Sequence, residues 1–283
     1  MLIHGWRNWR AKVSLLAPYL RVRPETFFAR EQRYTVSPQS ALADWPVLPP
    51  YEALADIWHA YSCNSQPNYS CFLQSVARRR GVVLRSILDL ACGTGTLTER
   101  LARLAPEVVG LDASEPMLIQ ARSHCSGLPG VHFARADFRE FNLDQQFDAV
   151  VCAYNSLNYL ANPAELSKVL QCVARHLRPG GVFIFDTTTM RGMQGSNTLY
   201  YHAEGEGRRL VMHFRYDSRQ RKQTVAVSLP SGMEMHRRIP IDPEDVAKAT
   251  ANSGLNLDDY FSSAIIPGRW FVGHFCFFVL SRT

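Results

Sequence analysis

From about residue 86 onward, short and almost wholly apolar runs alternate with longer stretches in which apolar residues recur every three or four positions. "SILDLA" (86–91), "EVVGLD" (107–112), "VHFARAD" (131–137), "FDAVVCAY" (147–154) and "GVFIFDTTT" (181–189) are of the first kind and predict strands buried on both faces. "GTLTERLARL" (95–104), the segment from Ser114 to His124 and "PAELSKVLQCVARHL" (163–177) predict helices, with the Ser114 hydroxyl suited to an N-cap. Regular alternation of the two kinds predicts a doubly wound α/β domain with a parallel sheet. Upstream, "YEALADIWHAYS" (51–62) and "PNYSCFLQSVARRR" (67–80) read as helices, the second with Pro67 at its start, and "WPVLPPYEAL" (45–54) as a rigid joint before them.

The pattern changes near residue 198. Residues 199–240 alternate with period two and predict a small antiparallel sheet, turning at Gly205–Gly207, Asp217–Ser218 and Ser231–Gly232. "DPEDVAKATANSG" (242–254) follows as a capped helix ending at Gly254, then "LNLDDYFSS" (255–263) and "FVGHFCFFVLS" (271–281) as strands. The organisation expected is an extension over 1–50 and one domain over 51–283. The domain divides into leading helices at 51–85, a core at 86–190, a β-rich insert at 198–240 and a final helix with strands at 241–283.

Composition changes this picture little. Of 283 residues, 46% are hydrophobic and 20% charged, which is ordinary for a soluble globular protein. The apolar runs are too short and too often interrupted for a membrane span, and Trp6, Arg7, Trp9, Arg10 and Lys12 break any signal-peptide core, so a cytoplasmic protein is expected. Seven cysteines without a CxxC pair or a Cys/His cluster predict reduced thiols and no metal. The net charge of +6 is concentrated at the start, where residues 1–50 hold seven basic residues against three acidic ones. No basic stripe recurs later, so a solvated extension is favoured over a nucleic-acid or membrane contact.

The chemistry sits in "ILDLACGTGTLTERLA" (87–102), a strand that breaks into a glycine turn and resumes as a helix. Such a turn presents backbone N–H groups to a nucleotide-like ligand. Thr98 stands where a dinucleotide fingerprint needs a third glycine or alanine, and no Gly-Lys-Ser/Thr is present for a Walker loop. Instead an acidic residue, Asp89, precedes the turn, Asp112 ends the next strand, where a carboxylate can take a ribose diol, and Asp137 ends the third, within reach of an adenine edge.

Together "LDLACGTG", "VVGLDAS", "ADF", "FDAVVCAYNSLNYL" and "LRPGGVFIFD" resemble, in this order and at these separations, the class I S-adenosylmethionine-dependent methyltransferases. The resemblance runs from about Tyr51 to the C-terminus and is nearest to small-molecule N-methyltransferases of the glycine and amino-sugar type. It implies a Rossmann-like, seven-stranded sheet whose last strand is antiparallel, with S-adenosylmethionine as cofactor, S-adenosylhomocysteine as product and no metal. Gly93 and Gly95 would then allow close approach of the cofactor, Asp112 would hold the ribose, and Asp137 with Phe138 the adenine. Asp89, Ala91, Thr94, Ala113, Met117 and Ala153 complete the implied cofactor set, with Tyr51, Trp58 and Tyr69 closing over the methionine half. Trp58 fits a helical core stripe equally well.

The loop Tyr154-Asn155-Ser156-Leu157-Asn158-Tyr159 falls at the carboxyl end of the sheet, beside the methyl group to be moved. Tyr154, Asn155 and His274 are the catalytic candidates. Asn158, Tyr159, Arg191, Tyr200, His213, Arg215 and Arg269 are the candidates for binding the acceptor, Arg191 and Arg269 suiting a carboxylate or phosphate on it. The loop is not the Asn/Asp-Pro-Pro-Tyr/Phe motif of enzymes that methylate nucleobase amines, which argues against nucleic-acid substrates. A small-molecule amine is the first expectation for the acceptor and a hydroxylated metabolite the second. A protein or RNA recruited by the basic extension, or a non-catalytic cofactor-binding subunit, follows, and a homodimer is compatible with the insert.

Overall fold

The computed structural model describes residues 47–55, 58, 69–195, 200–205, 208–229, 231–262 and 275–283, and the side chains of 200–210 and 262 are not among them. Half of the predicted 51–62 helix, Pro67, the Glu206–Gly207 part of a predicted turn, the Tyr200 side chain, Arg269 and His274 lie outside the described residues, as does the extension before residue 47. Among the described residues no helix is long and apolar enough to cross a membrane.

The domain is built on β2 (Ser86–Leu90), β3 (Glu107–Asp112), β4 (Val131–Arg135), β5 (Phe147–Cys152) and β6 (Leu177–Thr188), completed by β11 (Leu255–Ser262) and β12 (Phe275–Arg282) in the order β11-β12-β6-β5-β2-β3-β4. β2 to β6 pair in parallel, while β12 runs antiparallel to both β6 and β11. This is the seven-stranded sheet expected, last strand included. The central strands read as unbroken apolar runs because both faces are covered: all five residues of β2 are buried. One face packs on α1 (Tyr69–Arg80) and α2 (Thr96–Leu101), through Phe72, Leu73, Leu97 and Leu101. The other packs on α4 (Glu165–His176) and α5 (Pro243–Thr250), through Leu166, Val169, Val173 and Val246. α3 (Glu115–His124) follows β3, and Ser114 caps it as expected, accepting the Met117 N–H at 3.4 Å.

The insert forms a second sheet in the order β1-β10-β9-β8-β7, from β7 (Tyr200–Gly205), β8 (Arg208–Asp217), β9 (Lys222–Leu229) and β10 (Gly232–Arg238). Its fifth strand, β1 (Val47–Leu48), pairs in parallel with β10, so residues assigned from sequence to the extension belong to the cap sheet. A two-residue strand is too short to carry a period. Its consequence is positional: the turn at 49–54 is led from the cap sheet across the carboxyl ends of β2 and β3, where Ser114 Oγ donates to the Tyr51 carbonyl at 3.2 Å.

Candidate active site

β2 ends at Leu90 and the chain turns sharply, with Ala91, Gly93 and Gly95 all at positive φ (61°, 55° and 78°). The two glycines do different work. A Cβ on Gly93 would point toward the indole Nε1 of Trp58, 3.8 Å away, on the open side of the turn. A Cβ on Gly95 would press on Cys125 Sγ at 3.1 Å and Ala121 Cα at 3.2 Å, so its bare backbone lets α3 lie close rather than a ligand. The turn is tied to the next strand by Asp112, whose Oδ2 accepts the Gly93 N–H and whose Oδ1 accepts the Ser114 N–H, each at 2.9 Å. Burial raises the Asp112 pKa, and the N–H groups of Ser114, Gly93 and Ala113 partly offset it.

These groups line a cavity of about 560 Å³ over the carboxyl ends of β2 to β5. Of the residues singled out from sequence, Tyr51, Trp58, Ala91, Gly93, Thr94, Asp112, Ala113, Met117, Asp137, Phe138, Tyr154 and Tyr159 line it. Asp137 and Phe138 are at the β4 end. The Asp137 carboxylate is gripped there by Arg139, whose Nε lies 2.9 Å from Oδ1 and Nη2 2.5 Å from Oδ2, and that guanidinium lowers the Asp137 pKa. Tyr51, Tyr154 and Tyr159 stand at the β5 end, with the Tyr51 and Tyr159 ring centroids 5.5 Å apart.

Other expected site residues are elsewhere. Asp89 is fully buried behind the turn, where its Oδ2 accepts the Thr98 hydroxyl at 2.6 Å. Tyr69 sits behind Tyr154, edge to face at 5.2 Å, with its hydroxyl toward Asp186. Ala153 is core. Asn155 turns away from the cavity: its Oδ1 accepts the Thr188 hydroxyl at 3.0 Å and its N–H donates to Asp186 Oδ2 at 3.1 Å. Ser156 lines the cavity in its place. The substrate-binding reading of Asn158 is corrected too. It is fully buried, with Nδ2 donating to the Thr188 and Ile239 carbonyls and Oδ1 accepting the Thr188 N–H, which clamps β6 to the chain leaving β10. The cause is local: Tyr154 and Asn155 are both left-handed (φ 64° and 61°), so the chain reverses and the faces of the following turn at Ser156–Tyr159 are exchanged. Arg191 and Arg215 are exposed and, with the partly buried His213, do not line the cavity.

Two carboxylates escaped the sequence reading. Asp186, near the end of β6, holds the 154–155 turn, and burial raises its pKa to about 6 against the pull of Tyr69 and the Asn155 and Tyr154 N–H groups. Glu234 on β10 is fully buried and accepts the N–H groups of Tyr51 (2.7 Å), Ala53 (2.8 Å) and Leu54 (2.7 Å). The signal was present in "GMEMHRR", where Glu234 and His236 alternate on the inward face of a strand.

Asp89 carries a stability prediction. Burial keeps its proton on up to about 7 in the fold, against 3.8 for the ordinary carboxyl, the Thr98 hydroxyl acting the other way. A group raised in this way stabilises fully below 3.8, and that contribution drains away as the pH climbs to about 7. Asp89→Asn, which cannot ionise, is expected to melt above the wild type at about pH 8 and to converge with it near about pH 4, the ordinary carboxyl range. A gap of equal size at both pH values would refute the assignment.

Residues 87–181 match the family described as a methyltransferase domain. Over 135 residues the chain is 34% identical to a dTDP-3-amino-3,4,6-trideoxy-alpha-D-glucopyranose N,N-dimethyltransferase of Streptomyces venezuelae, covering 47% of this chain and 56% of that protein. Over 221 residues it is 27% identical to a dTDP-3-amino-3,6-dideoxy-alpha-D-glucopyranose N,N-dimethyltransferase of Streptomyces fradiae, covering 72% of this chain and 83% of the relative. Among solved structures, a sugar N-methyltransferase from Streptoalloteichus sp. ATCC 53650 superposes with a TM-score of 0.58 at 29% identity, over 75% of this chain and 86% of that one. The matched segment thus spans little more than half the length of the first of these relatives, at 56%. Residues 87–181 thus match a methyltransferase domain, and motif order, sheet topology and relatives all resemble those of the class I S-adenosylmethionine-dependent methyltransferases.

Proposed function

We propose that the cavity binds S-adenosylmethionine and presents it to a small-molecule amine, of the amino-sugar kind named for the relatives. The observation that carries this is the arrangement of one continuous cavity: a glycine-backed turn and the Asp112 carboxylate on its floor, and three tyrosines at the β5 end. The donor set fits the cofactor. Asp112 keeps lone pairs for a diol, the N–H-rich turn at 91–95 and Trp58 flank the methionine side, and Leu111, Met117 and Phe138 offer apolar walls to a purine, with Asp137 at its edge.

When bound, the cofactor supplies a methyl group already activated by the positive charge on its sulfur. What remains for the protein is alignment and exclusion of water. Tyr51, Tyr154 and Tyr159 enclose the β5 end of the cavity, and Asp186 fixes the turn that carries Tyr154. An amine acceptor needs only its lone pair there, whereas a hydroxyl acceptor needs a base in contact with it.

Calorimetric titration with S-adenosylhomocysteine, with NAD as control, is expected to show micromolar binding of the first alone, or about −8 kcal/mol. A dTDP-3-amino-sugar is expected to be methylated and its 3-hydroxy analogue not. Binding of neither nucleotide to folded protein would overturn the reading.

A further inference from the structure

Three side chains run in single file from the cavity wall into the cap. Tyr159 Oη lies 3.1 Å from His236 Nδ1, and His236 Nε2 lies 3.0 Å from Glu234 Oε2. Tyr159 lines the cavity, whereas His236 and Glu234 are sealed, at 2% and 0% exposure. Glu234 sets the direction of the chain. Burial alone would raise its pKa, but His236 and the N–H groups of Leu54 and Tyr51 outweigh it and hold the carboxyl below its usual range. An ionised carboxylate only accepts, so the proton between these two residues belongs to His236 Nε2. A ring whose one proton sits on Nε2 offers a bare Nδ1 to the Tyr159 hydroxyl, 3.1 Å away.

The other groups facing this file are Tyr51 on the 49–54 turn, Arg238 on β10 and, beyond Tyr51, Asp112 at the end of β3. Burial raises the Tyr159 pKa even though Arg238 and Tyr51 pull it down, so the phenol stays protonated at rest. Such a group is suited to pass a proton on rather than to keep one.

We propose that Tyr159, His236 and Glu234 are a proton relay that strips the ammonium of the acceptor, so that its nitrogen has a lone pair when it attacks. The inference rests on the amine-methylating reading above. An N–H bond of the ammonium breaks, its electron pair stays on nitrogen, and the proton goes to Tyr159 Oη. The phenol proton moves to His236 Nδ1, leaving a neutral amine in the cavity and an imidazolium against the Glu234 carboxylate. On product release the same path returns the proton to Tyr159 and then to solvent through the cavity mouth. Tyr159 is the catalytic residue of the three, and His236 and Glu234 act through it.

The test has two arms. With the dTDP-3-amino-sugar, Tyr159→Phe and His236→Asn are expected to lower kcat by about 100-fold near about pH 7. The deficit should shrink above about pH 9, where an amine sheds its proton to water unaided. Affinity for S-adenosylhomocysteine should stay within about twofold, because neither side chain touches the Asp112 end. A deficit equal at every pH, or none, would overturn the proposal. Independently of turnover, nitrogen NMR of histidine-labelled protein should read His236 as the neutral Nε2–H form, and a ring protonated at Nδ1 would overturn the relay. Failure of S-adenosylhomocysteine to bind would sink the methyltransferase reading instead and leave the tautomer result standing.

Discussion

Asp112→Ala is expected to weaken S-adenosylhomocysteine binding by about 2–4 kcal/mol, the scale of hydrogen bonds to a charged group, or roughly 30- to 700-fold. The effect is large because the carboxylate does two things. Its lone pairs are offered to the ligand diol, and the same two oxygens hold the Gly93 and Ser114 N–H groups at 2.9 Å, fixing the turn against the N-terminus of α3. Asp112→Asn keeps one acceptor oxygen but sets an amide donor against one of those N–H groups, and a loss between wild type and alanine is expected. Protonation should act like the asparagine. Burial raises the Asp112 pKa above 3.8, so affinity should decline on acidification at a higher pH than an exposed carboxylate would give. Calorimetry on variants whose urea midpoints match the wild type separates binding from folding. A change below about threefold in Asp112→Ala, within ordinary surface-substitution effects, would refute the diol assignment.

The central sheet was legible because strands covered on both faces have no polar alternation to confuse their period, and because glycine and aspartate stand where strand ends meet a ligand. Gly93 and Asp112 were readable in this way, and both line the cavity. The acceptor loop was not. Asn155, Ser156 and Asn158 differ by one to three positions, and which of them faces the cavity depends on two consecutive left-handed residues, Tyr154 and Asn155, that no composition rule demands of a tyrosine. Hence Asn158, chosen from sequence as a substrate contact, is a buried clamp, while Ser156, passed over, lines the cavity. Tyr69 was misread for a related reason: helical spacing fixes its face on α1 but not that Tyr154 stands between it and the cavity. Glu234 eluded the reading because a glutamate in an alternating strand is ordinarily solvated. The 49–54 turn, which arrives from far away in sequence and turns three N–H groups toward it, joins His236 in making burial of that carboxylate tolerable.

Glu234→Ala is therefore expected to cost about 3–5 kcal/mol of folding free energy, because a buried donor left unsatisfied costs about 1–3 kcal/mol and the Tyr51 and Ala53 N–H groups are only partly buried. Four donors lose their acceptor together: the N–H groups of Tyr51, Ala53 and Leu54, and His236 Nε2. Glu234→Gln retains one acceptor oxygen but turns an NH₂ toward a donor, and a smaller loss of about 1–3 kcal/mol is expected. Urea unfolding gives the magnitude, and hydrogen exchange at the Tyr51, Ala53 and Leu54 amides locates it. Those amides should lose protection ahead of the central sheet, because among the described residues β1 contributes two residues of pairing to hold the turn once the carboxylate is gone. A loss under about 1 kcal/mol in the alanine variant would mean that water replaces the carboxylate at no great cost. Glu234 would then be dispensable for the placement of Tyr51. The larger loss would mean that one buried charge both seats the turn over the cavity and fixes the tautomer of His236, so that assembly of the site and its readiness to accept a proton depend on the same side chain.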